Sequence, residues 1–287
     1  MLDAHALFES QLLNSPQRDA SIPALQRVKA MAKADFKFDG NKTRLDRLYQ
    51  HASAKIRFPK TYAGPLEAVL INTAGGLTGG DDLNWQLTLA KGAQITATTQ
   101  ACEKAYASSF GTATVQTNLE LADDAVLSWL PQETILYNNS SLSRRFDVSM
   151  ASSARLLVAE SLVLGRRAMG EAPKRLFFRD RWRIKRDGKL VFADNLGLNG
   201  PAQMAVQLGK NTAVSTILLL TDEDQESLEA LAGKLNQLCQ APLSAFSGAE
   251  GKLTGRLLAT DSYELRKSLM PLIEILSGTQ LPRVWRI

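Results

Sequence analysis

The residues best suited to chemistry in this chain are four acids and one cysteine in unusual surroundings. Asp81 and Asp82 directly follow a glycine cluster, Glu133 lies between strongly apolar stretches, and Glu171 lies among glycines and arginines. A carboxylate in such surroundings is costly unless it is paired or hydrogen-bonded, so each acid is either a structural partner or a binding group. A lone cysteine such as Cys102 is most often a small core residue, and the alternative is a soft metal ligand.

The glycine cluster, NTAGGLTGGDDL, resembles a phosphate loop at first sight. Its glycines are Gly75, Gly76, Gly79 and Gly80. A nucleotide loop needs a lysine and a hydroxyl residue after the last glycine, and a dinucleotide loop must lead into a helix. Here two aspartates and an alternating, strand-like stretch follow, so we exclude phosphate binding. The glycines then predict a sharply turned loop, which either aims the aspartates at a chosen place or uses them to bind free backbone N–H groups.

Other catalytic and targeting patterns are missing from the sequence. The two histidines, His5 and His51, lie in no metal motif, and no HExxH, GxSxG or EF-hand pattern occurs. The two cysteines, Cys102 and Cys239, have no CxxC spacing, which is typical of a reduced compartment. The net charge of +5 comes without a nucleic-acid-binding signature, and no apolar run could span a bilayer. We expect a cytoplasmic protein that binds neither nucleic acid nor membrane.

Residues 30 to 220 mostly alternate between apolar and polar side chains, which predicts β-strands. A weak repeat recurs within this stretch, in which each unit is a strand, a tight turn and an alanine that begins the next strand. The alanines are Ala93, Ala125 and Ala154, at spacings of 32 and 29 residues. Because one hairpin cannot bury its own apolar face, a repeat near thirty residues favours stacked layers. The predicted fold is mainly β, a β-helix-like stack of strands with a few C-terminal helices.

The C-terminal part changes to helical periodicity. Leucines at helical spacing predict helices at about 222–240 and 261–277, with a kink or restart at Pro271. We therefore divide the chain into an N-terminal extension, 1–28, and one β-rich domain, 29–287.

Five ordered motifs resemble those of the urease accessory protein family UreD, also called UreH. They are NTAGGLTGGDDL, TTQACEKAYAS, WLPQETILY, LVLGRRAMGE and the terminal LPRVWRI, and an earlier DGNKTRLDRLYQ resembles the opening of the family. The resemblance runs from about residue 30 to the C-terminus. One departure is that Asn72-Thr73-Ala74 stands where the family commonly has two prolines before the glycine pair.

The resemblance implies a scaffold and not an enzyme. Members of the family bind urease apoprotein and the accessory protein UreF, which recruits the GTPase UreG, and the complex inserts nickel into urease in a GTP-dependent reaction. It implies no tightly bound cofactor, but a transient passage for Ni²⁺. The residues that we assign to this passage are Asp81, Asp82, Glu133, Glu171 and Cys102.

Two alternatives remain open from the residues alone. One is a β-solenoid enzyme that acts on carbohydrate, with paired carboxylates in a surface groove. The other is a β-rich interaction module in which every acid is structural.

Overall fold

A computed structural model of the chain describes residues 26–60, 64–166, 170–241 and 243–286. Residues 1–25, which form most of the predicted N-terminal extension, lie outside the described residues. The chain between residues 82 and 186 passes back and forth between two β-sheets, and each passage adds a strand beside the previous one. This confirms the predicted stack of strands.

The first sheet, sheet A, has seven strands. Their order across the sheet is β14 (Lys189–Asn199), β13 (Phe177–Arg186), β11 (Ser141–Met150), β8 (Ala113–Leu121), β5 (Asp82–Leu89), β1 (Lys29–Phe38) and β2 (Thr43–His51). The edge strands β2 and β14 run antiparallel to their neighbours, and all strands between them are parallel. Hairpins make both edges, with turns at Gly40 and at Asp187-Gly188.

The second sheet, sheet B, has ten strands. Eight of them follow the order β16 (Leu243–Ala249), β17 (Lys252–Ala259), β15 (Ala213–Leu220), β12 (Arg155–Leu164), β9 (Val126–Leu130), β6 (Gln94–Thr99), β4 (Leu66–Asn72) and β3 (Ala54–Arg57). The remaining two, β7 (Glu103–Ala105) and β10 (Thr134–Leu136), pair with each other, and β10 also pairs with β12. Strands β4, β6, β9 and β12 are parallel, as in a β-helix.

The alanine repeat marks the same turn in successive layers of the stack. Ala93, Ala125 and Ala154 are all buried. The N–H of Val126 donates to the oxygen of Ala93 at 2.9 Å, and the N–H of Arg155 donates to the oxygen of Ala125 at 2.9 Å. A small side chain at this turn lets consecutive layers approach to backbone hydrogen-bonding distance.

Two hydrophobic cores hold the architecture together. The larger core lies between the sheets and contains the inward side chains of both, such as Leu87 and Leu127. The second core lies on the other face of sheet B, under the C-terminal helices. Among the described residues, the helical segments are α1 (Gly200–Leu208), α2 (Gln225–Leu238), α3 (Ser262–Ser277) and a final 3₁₀ turn (Arg283–Trp285). The sequence reasoning missed α1, because Gly200 and Pro201 are typical of loops.

Helix α3 continues through Pro271 to Ser277 instead of restarting there. Its N-cap Asp261 accepts a hydrogen bond from the Glu264 N–H at 2.9 Å. The leucines predicted on one face are buried in the second core, and this burial keeps the helix intact although proline removes one backbone hydrogen bond. Within the described ranges, no helix has both the length and the apolar character that a membrane crossing needs.

Candidate functional site

An interior cavity of about 660 Å³ opens between the two sheets. Its walls come from the ends of β4 and β6, the segments around β7 and β10, the middle of β11 and β12, and helix α3. Four acidic and four basic side chains line it: Glu103, Glu133, Glu160 and Asp180, and Lys104, Arg144, Arg145 and Arg266. Of the five residues assigned to a nickel passage, the cavity wall contains Glu133 and Cys102.

The glycine loop, Gly75–Gly80, packs against the neighbouring layer of the stack. Leu77 hydrogen-bonds to that layer on both sides, donating to the Lys104 oxygen at 2.7 Å and accepting from the Tyr106 N–H at 2.7 Å. A Cβ atom at Gly76 would lie 2.7 Å from the Lys104 oxygen, and one at Gly79 would lie 2.2 Å from the Phe110 oxygen. The glycines are therefore needed for close backbone approach.

Asp81 and Asp82 lie at the end of the glycine loop and do not reach the cavity wall. The buried Asp81 carboxylate accepts hydrogen bonds from the Val28 N–H at 2.9 Å and the Thr78 N–H at 2.8 Å. Asp82 accepts from the Thr114 hydroxyl at 2.9 Å and the Asn84 amide at 3.0 Å. Asp81 therefore binds free backbone N–H groups, which is one of the two roles that the sequence left open.

Glu171 also lies apart from the cavity. It accepts a hydrogen bond from the Asn138 N–H at 2.8 Å and pairs with Arg166 at 2.5 Å. The Asn138 N–H and the Arg166 guanidinium hold the pKa of Glu171 below its ordinary value. Arg166 in turn lies over the Tyr137 ring, so this acid fixes the loop before β13 to the loop before β11.

Four side chains of the cavity wall form what we call the Arg266 cluster: Cys102, Gln132, Glu133 and Arg266. The guanidinium of Arg266 contacts both carboxylate oxygens of Glu133, at 2.5 and 2.8 Å. The same group donates to the Gln132 amide oxygen at 2.6 Å. On the other side, the Cys102 thiol lies 3.2 Å from Glu133 Oε2. Glu133 is only 1% exposed, so its charge depends on Arg266.

The electrostatics of this cluster set the protonation states of its members. Burial alone raises the pKa of Glu133, but the hydrogen bonds and the charge of Arg266 outweigh it and bring the pKa below its ordinary value. Burial, together with the negative charge of Glu133, raises the pKa of the Cys102 thiol to about 12. At neutral pH the pair is a carboxylate that accepts from a neutral thiol, and a thiolate forms only if a cation replaces the proton.

A second group in the cavity wall, the Arg144 cluster, contains Arg144, Glu160 and Asp180. Arg144 contacts Glu160 at 2.6 Å and also pairs with Asp180. Each carboxylate accepts a second bond from an indole N–H, Glu160 from Trp129 at 2.9 Å and Asp180 from Trp182 at 3.1 Å. Burial raises the pKa of Glu160 against the opposing charge of Arg144.

The sequence reasoning missed the Arg144 cluster, although a signal for it was present. Glu160 is a single acid within the apolar strand RLLVAESLVL, and Asp180 interrupts the basic run FFRDRWR. A lone acid on an inward position of a buried strand predicts a buried cationic partner. The local sequence does not show that the partner is Arg144, which is one of two adjacent arginines in LSRRF.

Glu103 is the cavity acid without a cationic partner at ion-pair distance among the described residues. Its carboxylate accepts from the Asn72 amide at 3.2 and 3.3 Å. Burial raises the pKa of Glu103 to about 7, against these hydrogen bonds and the charge of Lys104. Glu103 therefore changes its charge near neutral pH.

A cation that binds Glu133, Glu160 or Asp180 must compete with the guanidinium groups that neutralise these acids. Over the described ranges, no group of three or more His, Cys, Asp or Glu side chains is arranged to hold a metal ion. The Cys102 thiol and the Glu133 carboxylate form one pair of possible ligands, 3.2 Å apart. Carboxylate oxygens and one thiol bind a divalent metal less tightly than a complete imidazole or thiolate site would.

A comparison with sequence models of protein families identifies the family of this chain. The sequence model described as UreD urease accessory protein matches residues 28–286. The chain belongs to the UreD family. The resemblance inferred from the five motifs is thereby confirmed.

Individual UreD proteins resemble the chain over almost its full length. A urease accessory protein UreD of Rhizobium leguminosarum bv. viciae is 45% identical over 87% of this chain and 92% of its own length. A urease accessory protein UreD 1 of Brucella melitensis biotype 1 is 43% identical over 92% of this chain and 96% of its own length.

Proposed function

We propose that this chain is a urease maturation factor that acts as a scaffold and not as a catalyst. The observation that carries the proposal is the match to the UreD family over residues 28–286, with relatives named as urease accessory proteins. In this proposal the chain binds urease apoprotein and UreF, and UreF brings the GTPase UreG. The assembly then inserts nickel into urease in a GTP-dependent reaction, in the cytoplasm.

The interior cavity supports a more specific role, as a passage for the nickel cargo. Ni²⁺ would contact Cys102 and Glu133, the two assigned residues that share the cavity wall. Arg266 already neutralises Glu133, so the ion must displace a guanidinium and the resulting contact is weak. Weak contact suits a passage, because the ion has to leave again.

The other three assigned residues have a supporting part in this proposal. Asp81 and Asp82 hold the glycine loop against the adjacent layer, and Glu171 holds the loop before β13. Their hydrogen bonds preserve the walls around the passage without direct nickel contact.

The scaffold role is tested by urease activation in cells that carry the urease structural and accessory genes but lack this chain. We expect urease purified from these cells to contain little nickel and to have low activity, with restoration by the wild-type chain. The measurements are urease activity per milligram and nickel per active site by mass spectrometry. Equal nickel content with and without the chain would overturn the proposal.

The passage is tested by the double variant Cys102→Ala/Glu133→Gln in the same cells. We expect nickel loading to fall by about tenfold, while the variant still co-purifies with urease. The amide introduced by Glu133→Gln keeps one acceptor for Arg266, which limits the structural damage. The matched control is Cys239→Ser, which changes the other half-buried cysteine, outside the cavity wall. Unchanged loading in the double variant would remove the passage and leave the scaffold role standing.

A further inference from the structure

A second, open hollow of about 680 Å³ lies at the end of sheet A where its parallel strands begin. Parallel strands start at the same edge of a sheet, so the loops before β8, β11 and β13 converge here with the first turn of helix α1. Within the described residues, the lining of this hollow shares no residue with the interior cavity. It is therefore separate from the cavity that we propose as a passage for nickel.

The hollow has positive charge that no described acid neutralises. Lys174 and Arg175 are exposed at its rim. Their backbone N–H groups donate to Asn138 Oδ1 at 2.8 and 3.0 Å, and these hydrogen bonds fix the position of the two residues. Their side chains have no carboxylate at ion-pair distance among the described residues, and no described lining residue is acidic. Glu171, on the same loop, is already paired with Arg166.

The first turn of helix α1 adds partial positive charge at the same place. Asn199, Gly200 and Pro201 line the hollow, and the N-cap Asn199 makes no side-chain hydrogen bond to the helix. The first turn contains no acidic residue. The Gly200 N–H already donates to the Leu176 oxygen at 3.3 Å, and Pro201 has no N–H. The Ala202 N–H has no intrahelical acceptor, and together with the helix dipole it favours an anion at this end of the helix.

An independent observation is a buried hydroxyl without a partner. Ser140 lines the hollow and is 2% exposed, yet among the described residues its Oγ makes no hydrogen bond. A buried hydroxyl that lacks a partner is unfavourable, and a ligand oxygen would satisfy it. Cationic side chains, an uncapped helix and this hydroxyl all suit an oxyanion.

We propose that this hollow is a docking site for a carboxylate-bearing, acidic segment of a partner protein. The scaffold role alone specifies neither this surface nor the acidic chemistry that it recognises. The loop that carries the lining residues Ser108 and Ser109 also presents Tyr106 and Phe110, which are 41% and 48% exposed. Exposed aromatic side chains beside cations are typical of protein interfaces, whereas a small anion needs no such surroundings.

The test uses the isolated full-length chain without nickel or urease, so its outcome is independent of urease activation. The probe is a fluorescein-labelled peptide of alternating Asp, Glu and Leu residues, and binding is followed by fluorescence anisotropy at low salt. We expect saturable binding that weakens as salt rises. A peptide with Asn and Gln in place of the acids should not bind.

A charge-reversal variant tests whether the peptide binds in this hollow. We expect Lys174→Glu/Arg175→Glu to weaken peptide binding by about tenfold or more, because the change replaces two attractions with two repulsions. The matched control is Lys189→Glu/Lys234→Glu, which makes the same charge change at two exposed lysines outside the hollow. The control should lose less than about twofold. Equal losses in the two variants would overturn the site.

Ser140→Ala separates binding from folding. Removing an unpaired buried hydroxyl should leave the thermal midpoint unchanged or slightly higher, while peptide binding weakens by about threefold. Inorganic phosphate at millimolar concentration should compete with the peptide. Saturable phosphate binding without any peptide binding would overturn the docking proposal, because it would leave only a small-anion site.

Discussion

The glycine loop and the interior cavity both contain carboxylates that the sequence singles out, but their hydrogen-bond donors differ. Asp81 receives two backbone N–H groups, which are neutral and cannot move away independently of the fold. Glu133 receives the Arg266 guanidinium and a thiol, which are side chains that can rotate and exchange for another cation. Whether a buried carboxylate is available for binding therefore depends more on its donors than on its burial.

Replacing Arg144 tests the cavity side of this contrast and should be the most damaging change. Arg144→Leu leaves Glu160 and Asp180 buried without their shared cation, so we expect stability to fall by about 3–5 kcal/mol at pH 7.5. Burial already raises the pKa of Glu160, and without the charge of Arg144 this carboxyl binds a proton still more tightly in the folded state than in the unfolded state. The loss should therefore be smaller at pH 5.5. Urea unfolding at the two pH values measures both effects.

The adjacent Arg145 provides the control for this prediction. It is exposed and makes no ion pair with the described acids, so Arg145→Leu should change stability by less than about 0.5 kcal/mol. If both variants lost the same free energy of unfolding, loss of the Arg144 cluster would not explain the destabilisation.

Replacing Asp81 tests the glycine-loop side. Asp81→Ala leaves the Val28 and Thr78 N–H groups without an acceptor, which should cost about 2–3 kcal/mol in urea unfolding. Asp82→Ala removes contacts only to side chains at a half-buried position, and should cost about 1 kcal/mol or less. A stable Asp81→Ala variant with reduced nickel loading of urease would instead make Asp81 a functional group and remove the contrast with Glu133.

A smaller effect concerns Glu103 and depends on pH. Burial raises its pKa from 4.5 to about 7, so the folded state binds the proton more tightly than the unfolded state. Stability from this group is therefore present below pH 4.5 and is lost as the pH rises through 7. Glu103→Gln does not titrate, and should be more stable than the wild type by about 1–2 kcal/mol at pH 8.5.

The advantage of Glu103→Gln should disappear near pH 4.5, which thermal unfolding across this pH range would detect. Glu120→Gln, at an exposed position on β8, is the control and should show no such trend. A constant difference at all pH values would show that a change in packing, and not titration, is responsible.

Much of the fold could be predicted because its signals are local. The alternation of LNWQLTL indicates a strand with one buried face, and the spacing of Ala93, Ala125 and Ala154 indicates the length of one layer. Helix α1 was missed because its first two residues favour loops, whereas its later residues Met204 and Leu208 are buried in the core. At Pro271 the sequence predicted a kink or a restart, and the helix does not restart there, because burial of the apolar face of α3 outweighs the local penalty of proline.

Sequence patterns alone were enough to establish the kind of architecture, the position of the glycine loop and the family to which the chain belongs, because period, turn chemistry and ordered motifs are properties of neighbouring residues. Which acids meet which partners depended on folding in three dimensions. Glu133 pairs with Arg266, 133 positions away, and Arg144 joins two acids from different sheets. Such pairs form because the cores bring distant strands and helices together, and the cost of burying a charge then selects a side chain of opposite charge at that point.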